Sequence, residues 1–290
     1  MANFEVRELN PTVGAEISGL DPSRDLDPET VGELRAVFDE RGVLLLRLPD
    51  LAADDQAYLV GLLVGAQPPA DRASSVANTY TYANFVTNRD EEGYAPFGRL
   101  LFHSDMMWSD APCEVLSLYG YQVQPPSVPT IFTSTAHAWD TLPAGLRARV
   151  EGRTARHVTG QIARGDQQAE LVVVHHEQER FTVQPVVREH PRTGRKLLYV
   201  SQQMTAGIEG LDPAASEELL EELFAHLYRP EVLLEHDWRQ GDLVIWDNLA
   251  TQHARGNVQL EGPERTLRKC LAPVQELSIG RPGLTRLGTS

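Results

Sequence analysis

His103-Ser104-Asp105, inside the run Leu100 to Trp108, sets an imidazole and a carboxylate two residues apart. On an extended segment that spacing puts both groups on one face, because strand side chains alternate. Two metal-ligand types then converge on one point. The best third candidate lies far along the chain, His253, in Gly241-Asp-Leu-Val-Ile-Trp-Asp-Asn-Leu-Ala-Thr-Gln-His253. Two histidines and one carboxylate on one side of an iron leave positions open for dioxygen and a chelating co-substrate, as in non-haem Fe(II) oxygenases. A His-x-Asp pair alone arises often by chance, as a surface or cap feature. Arg265, in the alternating stretch Glu264-Arg-Thr-Leu-Arg-Lys-Cys270, adds weight to it. A guanidinium fork there can grip a carboxylate bidentately, which is how a dicarboxylate co-substrate would be anchored.

Together, His103-x-Asp105, Trp246-Asp-Asn-x-x-x-x-His253 and Arg265 resemble the TauD/TfdA family of Fe(II)- and 2-oxoglutarate-dependent dioxygenases. The likeness runs over nearly the whole chain. It takes in Gly14-Ala-Glu-Ile-Ser-Gly-Leu-Asp21, Thr130 and His190-Pro-Arg-Thr-Gly-Arg-Lys-Leu-Leu-Tyr-Val200. The resemblance implies that His103, Asp105 and His253 bind Fe(II), and that Arg265, supported by Thr130, holds the distal carboxylate of 2-oxoglutarate. It further implies that dioxygen is consumed, that succinate and CO2 are released, and that a C–H bond of a small molecule is oxidised, usually to an alcohol. Desaturation, ring formation and epimerisation remain open; halogenation is disfavoured, because Asp105 fills the position that related halogenases leave for chloride. A β-branched residue on a strand needs no co-substrate to explain it, so Thr130 is also compatible with plain sheet packing.

Two departures bear on the substrate. Members acting on taurine resemble one another in a histidine-containing segment ahead of the metal strand, whereas Ala66-Gln-Pro-Pro-Ala70 has none. They also carry a second arginine where this chain has Lys269. On a strand Arg265, Leu267 and Lys269 share one face, so a cation would remain there without the planar fork. The expectation is an anionic or amphoteric small molecule other than taurine. Lys269 and Arg99 would contact it, and Met106, Met107 and Trp108 would supply apolar wall. A solvated strand end for Lys269 and core packing for the Met and Trp residues are the plainer readings.

The composition agrees with such an enzyme. The 290 residues are 41% hydrophobic, enough for a sizeable core, and no linker divides them, so one domain spanning 1–290 is expected. The net charge of −15 would repel a phosphate backbone, and no basic run offsets it, which argues against a nucleic-acid partner. Neither a leader peptide nor a membrane-length apolar window is visible, so a cytoplasmic protein is expected, with a homo-oligomer permitted. Cys113 and Cys270 lack zinc spacing and read as reduced packing residues.

The elements that must position the site are mostly short strands. Helices are expected after Asp27-Pro28, from Ala53 to about Leu63, over 142–152 and after Asp212-Pro213. The last carries Leu219, Leu220, Leu223, Phe224 and Leu227 on one face. Strands are expected at 43–48, 79–85, 114–121, 130–134, 153–158, 171–174, 182–188, 196–200, 232–238, 242–246 and 265–272. Segments 182–188 and 196–200 read as a hairpin around the His190-Pro-Arg-Thr-Gly194 turn. His175-His176-Glu177 reads as a solvated strand end, since adjacent strand residues point to opposite faces. Irregular stretches within 66–98 suit an active-site lid, or a plain surface loop. This pattern suggests a sandwich or barrel covered on one side; the resemblance sharpens it to a distorted jelly roll, the cupin-like double-stranded β-helix. The readings from other classes are a cupin-like isomerase or hydrolase without 2-oxoglutarate, and a non-catalytic β-sandwich binding module.

Overall fold

A computed structural model of the chain describes residues 4–81, 85–90, 95–162, 164, 172–175, 179–274 and 283–286. In chain order the elements of the first half are β1 (Glu5–Glu8), β2 (Ala15–Ser18), α1 (Pro28–Arg41), β3 (Val43–Arg47), α2 (Ala53–Leu62), α3 (Arg72–Ala77), β4 (Tyr80–Thr81), β5 (Val86–Thr87), β6 (Gly98–His103), β7 (Val115–Val123), β8 (Thr130–Ser134), α4 (Thr135–Asp140) and α5 (Ala144–Val150). There follow β9 (Thr154–Val158), β10 (Val172–His175), β11 (Phe181–Pro185), β12 (Val187–Glu189), β13 (Lys196–Leu198), β14 (Thr205–Ile208), α6 (Pro213–Leu227), β15 (Leu234–His236), β16 (Asp242–Asp247), β17 (Thr251–Val258), β18 (Arg265–Ala272) and β19 (Gly283–Arg286).

Two sheets make the core. The larger runs β1-β2-β3-β16-β7-β18-β4, with β5 also on β18; the smaller runs β15-β8-β17-β6. Every pairing is antiparallel except β2 with β3. Strands β3 and β16 are buried on both faces, so their sequences are largely apolar runs, whereas β18 is equally buried but carries Arg265, Thr266, Arg268 and Lys269. One face of the large sheet meets α1 and α2 through Leu34, Phe38, Leu44, Leu46, Leu59, Leu63 and Ile245. The other packs Leu45, Leu116, Val244, Trp246, Leu267 and Leu271 against Phe132 and Trp238 of the small-sheet side. This is the expected jelly roll, and the site lies where the two sheets face each other.

Local chemistry explains the element ends. Asp27 and Asp212 cap α1 and α6 through side-chain oxygens that accept backbone N–H groups. Gly42 ends α1 at φ 69°, and a Cβ there would stand 2.8 Å from Thr251 Cγ2, so glycine is needed for both backbone and space. The apolar face of α6 covers Val186, Leu198, Val200 and Trp139, while its glutamates face outward, as its periodicity predicts.

Several expectations need correction. The 182–188 segment is two strands: β11 pairs with β9, and only β12 pairs with β13 around the His190 turn. Pro185, which ends β11, has no N–H to continue a ladder, so the chain changes partner there. The short helices α3 and α4 were not expected. The expected strand over 79–85 is described only at β4, which pairs with β18, as β5 does further along. Residues 82–84 and 91–94 of the 66–98 segment, and 176–177 of the His175-His176-Glu177 run, lie outside the described residues. No helix among the described residues is long and apolar enough to cross a membrane.

Candidate metal and co-substrate site

Strands β6 and β17 are neighbours, and His103 pairs directly with His253 in their register. Cross-strand partners share a face, so the two imidazoles project together, with ring centroids 4.2 Å apart. Asp105 closes the group: its Oδ1 lies 3.2 Å from His103 Nε2 and 3.7 Å from His253 Nε2. One ligand atom from each residue lies within 4.8 Å of the others. The three residues named from the sequence do meet, but strand alternation is not the local cause. β6 ends at His103, and Asp105 sits in the following turn, where Met106 takes φ 60°. The chain turns Asp105 back to the imidazoles; strand alternation does not put it there.

The atoms that could hold a metal are fixed in place. His103 Nδ1 donates to the Leu101 carbonyl at 2.7 Å, which leaves the Nε2 lone pair facing the cluster. The β6–β17 register shifts just beyond the His103–His253 pair. The His253 ring is boxed by Trp246 and Phe132, at centroid distances of 5.0 and 6.2 Å. Burial, then the neighbouring His103, push its pKa well below the ordinary imidazole range, which favours the neutral ring that metal binding would require. Burial alone would raise the Asp105 pKa, but the adjacent Lys269 ammonium outweighs it and holds the carboxyl well below the usual range.

Asn248 and Asp247 had appeared in the sequence only as landmarks. Asn248 grips the Asp105 backbone and the Cys113 carbonyl through its side chain. Asp247 is buried at the turn between β16 and β17. It accepts from His190 Nε2 at 3.0 Å, Arg192 Nη2 at 2.7 Å, and the N–H groups of Leu249 and Ala250. This network fixes the turn that leads to His253. An adjacent Asp-Asn between two strand patterns is turn chemistry, a signal that could have flagged both.

Behind the triad, Arg265 is 3% exposed on β18. It donates through Nε to the Val128 carbonyl at 3.1 Å and through Nη2 to Thr130 Oγ1 at 3.2 Å. Among the described residues no carboxylate pairs with it. Thr130 Oγ1 also accepts from Trp238 Nε1 at 2.9 Å, so both its lone pairs are used and its own proton is left to donate. Thr130 pairs with Arg255 across β8 and β17, two residues from the His253–Phe132 pair, about 7 Å along the strand. Arg255 is buried as well, bound to the carbonyls of Ala95, Phe97 and Gly98. Burial lowers its pKa to about 10. The roles of Trp238 and Arg255 had no signal in the local sequence.

The remaining candidates are placed as follows. Met107 and Trp108 are buried with Tyr199 and Met204, and Met106 packs at the edge of that cluster. Arg99 is half-buried on β6, four residues before His103. Lys269 lies on the same face of β18 as Arg265, as expected, and its ammonium is 2.5 Å from Asp105 Oδ2.

The comparisons with known proteins agree with this geometry. Residues 5–271 match the family described as Taurine catabolism dioxygenase TauD, TfdA family. The chain belongs to this family. As a TauD/TfdA dioxygenase it acts on a small organic molecule with Fe(II), 2-oxoglutarate and O2, and the expected fold, enzyme class and cofactors stand. It is 28% identical to an alpha-ketoglutarate-dependent 2,4-dichlorophenoxyacetate dioxygenase of Cupriavidus pinatubonensis, over 90% of this chain and 94% of the relative. It is 26% identical to a pentalenolactone F synthase of Streptomyces avermitilis, over 84% and 85%. The crystal structure of a taurine dioxygenase from Burkholderia xenovorans superposes with a TM-score of 0.69 at 26% identity, covering 97% of this chain and 92% of that one.

Proposed function

We propose that His103, Asp105 and His253 hold the iron of this dioxygenase and that Arg265 and Thr130 bind the distal carboxylate of 2-oxoglutarate. The observation that carries this reading is Arg265: a buried guanidinium bonded only to neutral oxygens lacks the anion that would compensate its desolvation. A dicarboxylate reaching from the triad supplies that anion. The donor set fits the metal, since two neutral imidazole nitrogens and one carboxylate oxygen on one side suit Fe(II) with open positions.

Fe(II), when bound, would activate O2, the oxidant; 2-oxoglutarate would supply two of its four electrons and leave as succinate and CO2, and the substrate C–H bond would supply the other two. The chain's own residues bind, orient and exclude water. The His103 Nδ1–H bond to Leu101 fixes which nitrogen is offered. Arg265 and the Thr130 hydroxyl hold one end of the co-substrate so that its other end meets the triad in one orientation. Met106, Met107 and Trp108, which pack together with Tyr199 and Met204, would supply an apolar wall beside the reacting carbon.

The substrate in this reading is an anionic or amphoteric small molecule other than taurine, with Arg99 as its cationic contact. The carboxylate in the name of the Cupriavidus enzyme's substrate supports an anion. The site works in the cytoplasm on free small molecules; a net charge of −15 is unsuited to nucleic acid.

Anaerobic addition of Fe(II) and 2-oxoglutarate tests the centre: a visible metal-to-ligand charge-transfer band is expected, and its absence with both present would overturn the assignment. A succinate-release screen over carboxylates, sulfonates, amino acids and aryloxy acids tests the substrate class.

A further inference from the structure

The two oxygens of Asp105 have different partners. Oδ1 faces the imidazole nitrogens of His103 and His253, and Oδ2 meets Lys269 Nζ at 2.5 Å. Lys269 reaches this point from the middle of β18, where its cross-strand neighbour is Leu118. Leu267 and Leu271, two residues to either side on the same strand face, belong to the apolar layer between the sheets. The lysine stem is therefore packed in hydrocarbon, and its ammonium emerges at the carboxylate. The Asp105 backbone is pinned independently by Asn248 on the opposite strand end.

From this geometry we infer that Lys269 is a positioning residue for Asp105. It holds Oδ2 so that the carboxylate offers Oδ1 alone to the metal. The inference rests on the proposed triad and adds a role for a residue that the sequence suggested as a substrate contact. A carboxylate free to rotate about its last bond can present one oxygen or both; an ammonium on Oδ2 removes that freedom and leaves one oxygen facing the imidazoles. Asp105 is then fixed at both ends, at its backbone by an amide and at its outer oxygen by a cation.

The sign of one measurement separates this role from the alternatives. A lysine acting only as a nearby positive charge repels a divalent ion, so removing it should tighten metal binding. A lysine that only hooks substrate should leave metal binding unchanged. A lysine that positions a ligand should weaken metal binding on removal, by about 10- to 100-fold for a partner of a ligating carboxylate.

Mn(II) is titrated into the metal-free full chain, with no co-substrate or substrate present, and compared with Lys269→Met and Lys269→Arg. The expected result is weaker binding by about 10- to 100-fold in Lys269→Met, with Lys269→Arg, which keeps a cation and donors, nearer the parent. Unchanged or tighter binding in Lys269→Met overturns the inference. If Lys269→Met does not fold, Asp105→Asn/Lys269→Met, in which both charges are gone, decides. Recovery of the fold in the double variant shows that the two groups are coupled, and no recovery overturns the pairing. A parent chain that fails to bind Mn(II) would count against the metal triad itself, an outcome distinct from a parent that binds and a Lys269→Met variant that binds equally well.

Discussion

Asn248 holds Asp105 from both sides of its backbone. Asn248 Oδ1 accepts the Asp105 N–H at 2.8 Å, and Asn248 Nδ2 donates to the Asp105 carbonyl at 2.8 Å. The same amide nitrogen reaches the Cys113 carbonyl at 2.9 Å. One side chain thus ties the turn after β6 to the end of β16 and fixes where the carboxylate can stand. Asn248→Ala should weaken Mn(II) binding by about 10- to 100-fold. It should also cost stability, about 1–3 kcal/mol for each buried backbone group left without a partner. Metal titration and denaturant unfolding measure the two effects; unaltered metal affinity would show that the brace has no bearing on the triad.

Arg265 is expected to divide binding from stability. As a buried cation without an anion, it is a poor contributor to the fold, yet it is the proposed anchor of 2-oxoglutarate. Arg265→Met should lower 2-oxoglutarate affinity by about 2–5 kcal/mol, the loss for one partner of a buried charge pair. The melting temperature of the metal-free chain should stay level or rise. Calorimetric titration with N-oxalylglycine and thermal unfolding read the two, and a large drop in both would make Arg265 a structural residue.

Thr130 should behave differently from Arg265. Thr130→Val removes the acceptor of Trp238 Nε1 as well as the donor offered to the co-substrate. It should therefore reduce both stability and 2-oxoglutarate affinity, the latter by about 1.5–3 kcal/mol for a hydrogen bond to a charged group. Thr130→Ser, which keeps the hydroxyl, should restore most of each. Equal behaviour of the valine and serine variants in co-substrate binding would remove the hydroxyl from the site.

His157 supplies a pH dependence that is independent of the metal. It is fully buried, and burial, then the Arg188 charge, push its pKa down to about 3. An unfolded histidine titrates near about 6.5. Between those values the unfolded chain holds a proton that the folded chain does not, so stability is complete above about pH 6.5 and falls as the pH drops below it. The slope reaches about 1.4 kcal/mol per pH unit for one such group. His157→Gln should be less stable at pH 7.5 but lose less between pH 6.5 and 5, a window above the carboxylates' unfolded range. Denaturant unfolding at pH 7.5, 6.5 and 5 measures this, and a slope as steep as the parent's would assign the dependence to other groups.

Asp247 carries the fold of the β16–β17 turn. Asp247→Ala leaves Arg192 and the N–H groups of Leu249 and Ala250 without their buried acceptor. Breaking such a pair costs about 3–5 kcal/mol, so the variant should melt far below the parent and bind Mn(II) weakly. Parent-like stability would mean that water replaces the carboxylate there.

The sequence by itself determined the residue types of the site and the periodic elements. His103, Asp105, His253 and Arg265 could be picked out because their chemistry is unusual in combination. The caps at Asp27 and Asp212, the stop at Gly42 and the amphipathic face of α6 are local, and local rules read them correctly. Only the tertiary structure decided which atoms meet. The β6–β17 register places His103 opposite His253, and a turn, with Met106 at positive φ, brings Asp105 to them. Trp238 and Arg255 join the site through partners more than a hundred residues away. The same holds for Lys269: strand alternation predicted its face, but its partner could not be read from β18 alone. Hydrogen-bond partners across sheets depend on register and turn geometry, and those follow from how the whole core packs, which no short window of residues encodes.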